Sequence, residues 1–167
     1  MFSTDYVRHY GGPNPIDMVE ELASQNAWNF DRLADDQIVM SIDALWRTYA
    51  ITLALSNKEE MLKLACSFEI APLENSAEKI YETLNVINDS IWTGTFTYTS
   101  SQNLIVYRYG LVLNDDAEVT DGQIDQILSD AINSCDCFYP TLQKVIWGGQ
   151  SPSDAVGIAM MMPQGEA

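Results

Sequence analysis

Apolar and polar residues alternate with period two along two neighbouring stretches of the chain. In residues 48–55, Tyr49, Ile51, Leu53 and Leu55 alternate with Thr and Ala; in residues 62–70, Leu62, Leu64, Cys66, Phe68 and Ile70 alternate with Lys63, Ala65, Ser67 and Glu69. Such alternation gives each strand one buried and one wet face, as in an antiparallel sheet. Ser56-Asn57-Lys58-Glu59 is the turn expected between them. A smaller hairpin is predicted before this pair, over residues 28–33 and 38–42 around Asp35-Asp36. Another is predicted after it: Trp92, Gly94, Phe96 and Tyr98 alternate with Thr93, Thr95, Thr97 and Thr99, and residues 100–103 turn into a strand over 104–111.

The remaining segments carry helical spacing. Asn14-Pro15 opens a short helix to about Ala27, since Asn caps well and Pro is favoured at the first helical position. A second helix is predicted from about Leu73 to Asn88, with Ala77, Ile80, Tyr81, Leu84 and Ile87 as its core stripe. The longest begins near Asp121 and carries Ile124, Ile127, Leu128, Ala131, Ile132, Cys135, Phe138, Leu142, Val145 and Ile146. Pro140 lies inside it, so a kink is expected near Asp136. Trp147 closes the stripe and is expected to be buried as an anchor. Gly148-Gly149 ends the helix, and Ser151-Pro152-Ser153-Asp154 starts a last short one in a capping-box-like arrangement. Helices and antiparallel strands in separate groups predict an α+β fold, a twisted antiparallel sheet with helices packed on it. Residues 14–167 are expected to form one domain behind a tail over residues 1–13.

Charge narrows the functional classes. Of 167 residues, 24 are Asp or Glu and only 8 are Lys or Arg, a net charge of −16. Nucleic-acid binding draws its affinity from cations that neutralise phosphate, so a nucleic-acid partner is excluded, and an anionic membrane surface is disfavoured for the same reason. No apolar run approaches the roughly 20 residues of a membrane helix. Residues 1–13 hold no apolar core of a signal peptide, and the expected location is cytoplasmic. The charge serves solubility and could steer a basic polypeptide.

Candidate chemistry is sparse. His9, the one histidine, stands in the N-terminal tail, away from any ordered nucleophile. Cys66, Cys135 and Cys137 fit reduced thiols, and Cys135-x-Cys137 lacks the other two ligands of a structural zinc site. The acidic run Asp115, Asp116, Glu118, Asp121, Asp125 fails the calcium-loop pattern: Asp121 stands where Gly must turn, and Ile127 where the closing Glu belongs. Gly148-Gly149-Gln150-Ser151 precedes a helix start but lacks the Lys and the length of a phosphate loop. No catalytic, cofactor-binding or metal residue is assigned, and no cofactor is expected. Gly94 marks a bulge or a close approach of another backbone. The threonine face of Thr93, Thr95, Thr97 and Thr99 is the candidate dimer or partner surface.

Three stretches carry a resemblance. Phe138-Tyr139-Pro140 with Val145-Ile146-Trp147-Gly148-Gly149-Gln150-Ser151-Pro152, then Leu64-Ala65-Cys66-Ser67-Phe68, and then residues 81–96 with Ile87-Asn88 and Trp92-Thr93-Gly94-Thr95-Phe96 together resemble the bacterial YbjN-domain family. The family is described as sensory-transduction regulators. The resemblance implies a fold like that of type III secretion chaperones, commonly paired as dimers, and offers no catalytic residue to carry over. The function expected is a non-catalytic protein-binding domain, chaperone-like or regulatory, acting as a homodimer with a further protein partner. The rivals are a sensor that holds a small ligand between sheet and helices, and an enzyme that uses carboxylates.

Overall fold

The alternating stretches become a single sheet in the computed structural model, which describes residues 12–56, 58, 60–113 and 118–162. Six strands form there: β1 (Asn29–Ala34), β2 (Gln37–Asp43), β3 (Thr48–Ser56), β4 (Met61–Glu69), β5 (Thr95–Thr99) and β6 (Leu104–Val112). Every pairing is antiparallel, in the order β1-β2-β3-β4-β6-β5. Four helices accompany them: α1 (Pro15–Gln25), α2 (Ala77–Ser90), α3 (Asp121–Ile146) and α4 (Pro152–Met161). The sheet departs from chain order once. Helix α2 carries the chain past β4 to the far edge, and β6 returns between them.

Register separates the two faces. Met40, Ile51, Cys66, Tyr107 and Phe96 stand in one cross-strand row, and all five are buried. The adjacent row, Val39, Thr52, Ala65, Arg108 and Thr95, points the other way. Helix α1 lies against β1, β2 and β3, α3 against β4 and β6, and α2 against β5, with α4 resting on α2 and α3. The apolar stripes of all four helices join the inward strand residues in one core.

Local chemistry sets the helix ends. Asn14 Oδ1 accepts the Ile16 amide at 3.0 Å, while its Nδ2 donates to the carbonyl of Asp35 at 2.7 Å. One side chain therefore starts α1 and ties it to the β1–β2 turn. Arg32 adds an ion-paired link from β1, with Asp17 at 2.9 Å and Glu20 at 2.6 Å. Thr120 and Gln123 form a capping box at the start of α3. Helix α3 runs without interruption through Pro140, whose ring leaves the carbonyl of Asp136 without its usual amide.

Four expectations from spacing are corrected. Trp147 is not a buried anchor; it is 57 % exposed. It shares a helix face with Gln143 and Lys144, both exposed, rather than with Val145 and Ile146. Trp92 lies before β5, outside the sheet, and is fully in solvent. The second helix also starts later than expected, at Ala77, and Tyr81 leaves its core stripe to meet the ring of Tyr98 at 5.5 Å.

Candidate functional site

Two surfaces stand out, and the first is the sheet face that no described helix covers. Along it run Asp31, Val39, Thr52, Ala65, Arg108 and Thr95 in one row, and Ser41, Ala50, Ser67, Val106 and Thr97 in the next. Small side chains dominate, so the surface is flat. Its charges nearly balance: Lys63 and Arg108 stand against Asp31, Asp43 and Glu69, on a chain of net charge −16. Thr95, Thr97 and Thr99 lie on this face at the edge strand. Thr93 does not join them; it precedes the strand, and its hydroxyl is a neighbour of the Tyr107 hydroxyl.

The edge of the sheet at β5 is occupied by the protein itself. Asn88, near the end of α2, donates through Nδ2 to the Phe96 carbonyl at 3.0 Å and accepts the Phe96 amide through Oδ1 at 2.8 Å. A side-chain amide thus takes two of the backbone groups that another strand would pair with. Exposed strand edges invite such pairing, and this one is blunted.

The second surface is a cleft of about 780 Å³ between the sheet end and the last turns of α3. Arg47 enters it from the β2–β3 turn; Glu69 ends β4, and Ile70 and Ala71 follow it; Tyr139, Gln143 and Lys144 come from α3, and Trp147 caps that helix. The Arg47 guanidinium lies 5.5 Å from the Phe68 ring centre and 5.3 Å from that of Tyr139. Its Nη1 donates to the Glu69 carbonyl at 2.6 Å. Its Nε is buried with no hydrogen-bond partner among the described residues. Tyr49, Phe68 and Tyr139 continue as an edge-to-face chain with 5.6 Å between successive ring centres.

Asp136 holds the turn that carries Arg47. Its carboxylate accepts the Leu45 amide at 3.0 Å and the Tyr49 hydroxyl at 2.7 Å. Burial, and then that bond to Asp136, push the Tyr49 phenol well above its ordinary range. In the core, Cys135 donates to Cys66 across 3.5 Å, and burial raises the Cys135 thiol, with Cys66 adding to the effect. Cys137 is apart from that pair, its Sγ 4.0 Å from the Ala159 carbonyl. Ser151 accepts the Asp154 amide at 3.3 Å, which makes the Gly148–Ser151 stretch a helix–helix turn with its hydroxyl spent as a cap. Among the described residues, no three of His, Cys, Asp and Glu cluster as a metal site. His9, Asp115 and Asp116 lie outside those residues.

Sequence spacing puts Thr95, Thr97 and Thr99 on one face, as the strand does, but points to neither the cleft nor the Asn88 bridge. The cleft unites three segments far apart in the chain, and its one local feature, Trp147 beside Lys144, is the residue whose spacing predicts burial.

The fold and surfaces define an α+β protein: helices on one face of an antiparallel sheet, the opposite face covered by no described helix, and a cation-bearing cleft at one end. A model of the YbjN family, described as "Putative bacterial sensory transduction regulator", matches residues 15–144, and the chain belongs to that family. The match stops before Val145–Pro152. Among solved structures the protein is similar to YbjN from E. coli, titled "a putative transcription regulator", with 12 % identity and a TM-score of 0.51. The alignment covers 71 % of this chain and 84 % of that one, a likeness of fold. None of the curated proteins matches the chain. Among the described residues, no helix is long and apolar enough to cross a membrane.

Proposed function

We propose that this YbjN-family domain is a non-catalytic cytoplasmic regulator that works by binding protein across the open face of its sheet, in the first place a second copy of itself. The observation that carries the reading is that face, which is broad, built of small side chains and nearly balanced in charge. Two copies meeting through ordinary surface would set acid against acid at a net charge of −16 each. The open face avoids that repulsion. Small side chains also let two sheets approach to about the 10 Å of stacked sheets. Two-fold, isologous pairing is the symmetry such a surface favours. Pairing edge to edge through β5 is disfavoured, because Asn88 already holds the Phe96 backbone. A chaperone-like hold on an extended client segment would draw on the same surface.

Light scattering at micromolar concentration tests the pairing. The expected mass is twice 18.7 kDa. Ala65→Glu, at the centre of the face, should return the monomer while leaving the melting transition in place. A monomer at every concentration overturns the pairing, and a dimer indifferent to Ala65→Glu places the interface elsewhere.

A further inference from the structure

We infer that the cleft between the end of β4 and the last turns of α3 binds a small organic anion, a carboxylate carried on an apolar, planar body. The inference is independent of how the sheet face is used. It begins with Arg47. A guanidinium offers five N–H donors. One is spent on the Glu69 carbonyl and the Nε–H is buried without an acceptor among the described residues, so the donors left for a ligand are those of the two terminal nitrogens. The planar group packs against the adjoining Phe68 and Tyr139 rings and is tied to the Glu69 carbonyl, so its orientation is fixed before any ligand arrives. A donor array already ordered loses little entropy on binding.

The second cation in the lining is Lys144, from the last turn of α3. Two of the eight Lys and Arg residues of a strongly acidic chain therefore line one cleft, and Glu69, whose carbonyl meets Arg47, is the one acidic residue of that lining. The end of a helix ordinarily disfavours an anion, because its free carbonyls carry partial negative charge. Here two of those carbonyls are already engaged: Gln143 accepts from the Trp147 amide at 2.8 Å, and Lys144 from the Gln150 amide at 3.1 Å.

The rest of the lining fixes the body of the ligand. Trp147, Tyr139 and Pro140 present flat apolar surface next to the cations. The indole of Trp147 is held open to solvent by a helix face of polar neighbours, a costly place for the largest side chain unless something stacks on it. The volume of about 780 Å³ lies within the range of small-molecule sites, about 300–1,000 Å³. A phosphate would use the cations and leave the aromatic wall idle. An aromatic carboxylate would use both.

The full chain labelled with 15N provides the test, with phenylacetate as probe, phenylacetamide as its uncharged counterpart, and inorganic phosphate. Phenylacetate is expected to move the Arg47 Nε–H and Trp147 indole N–H resonances in a saturable way at millimolar concentration or below. Phenylacetamide should leave them in place. Lys144→Gln, an exposed change that spares the Arg47 contacts with Phe68 and Tyr139, should weaken phenylacetate several-fold with the fold intact. Absence of saturable shifts overturns the site. Equal response to phenylacetamide overturns the role of the cations, and equal response to phosphate overturns the role of the aromatic wall.

Discussion

The Tyr49 hydroxyl donates to Asp136 Oδ1 at 2.7 Å, joining the middle of the sheet to the middle of α3. The same carboxylate receives the Leu45 amide at 3.0 Å and approaches the Trp46 amide at 3.5 Å. One side chain thus fixes the β2–β3 turn and, through it, the base of Arg47. Asp136→Ala leaves a buried phenol and a turn amide without acceptors, and should cost about 1–3 kcal/mol in urea unfolding. The Arg47 Nε–H resonance should shift as well, because its turn loses its anchor. A variant as stable as the parent would mean that water replaces the carboxylate without loss.

Alkaline pH should expose the same contact. Burial first, then the bond to Asp136, raise the Tyr49 phenol above its ordinary value, and burial raises Tyr107 too. A phenol whose folded pKa is raised contributes stability that is fully present below its unfolded pKa, about 10, and is lost as pH rises beyond it. Stability should therefore be insensitive to these groups below about pH 10. Above that it should fall, by up to about 1.4 kcal/mol per pH unit for Tyr49. Absorbance near the tyrosinate band should show two phenols ionising only with unfolding. Smooth titration of every tyrosine in the folded state would contradict this.

Asn88 guards the β5 edge by imitating a strand. Asn88→Ala removes both bonds to Phe96 and should destabilise the protein by about 1–3 kcal/mol. It should also open the edge, so concentration-dependent association stronger than the parent's is expected in sedimentation. Asn88→Asp keeps the acceptor for the Phe96 amide, loses the donor to its carbonyl, and should fall between the two.

The strands were readable in advance because one face of this sheet is dry and the other wet. Tyr49, Ile51, Leu53, Leu62, Leu64, Cys66 and Phe68 all point inward as their alternation implies. Alternation misled at Trp92, where the period continues backwards from Phe96 but the chain has already left the sheet. It misled differently at Trp147. Counting by three and four from Pro140 through Gln143 and Lys144 reaches Trp147 on the polar face, yet its size suggested the core. The packing of Arg47 on Phe68 and Tyr139 and the Asn88 bridge lay beyond any local pattern. The first needs β4 and α3 brought together, and the second needs α2 docked against a strand eight residues away.

Gly94 is constrained by a ring rather than by another backbone. A Cβ there would stand 2.2 Å from Tyr107 Cζ and 2.4 Å from its hydroxyl oxygen, far inside contact distance. Tyr107 cannot easily yield. It is fully buried, packed edge to face on Phe96 with 5.2 Å between ring centres, and Phe96 in turn meets Phe138 of α3 at 5.9 Å. Its hydroxyl has no closely fitted hydrogen-bond partner among the described residues, with Thr93 and Ser134 as its polar neighbours. Relief must therefore come from the backbone before β5, which would swing away and loosen the edge strand. Gly94→Ala should destabilise by about 1–3 kcal/mol, the usual cost of overpacking a fixed core. The double variant Gly94→Ala with Tyr107→Leu separates this clash from any loss of glycine flexibility. Removing the ring removes the obstacle, so the two changes together should cost clearly less than the sum of the single ones. Simple additivity in thermal or urea unfolding would show that the ring is not what excludes a side chain at position 94.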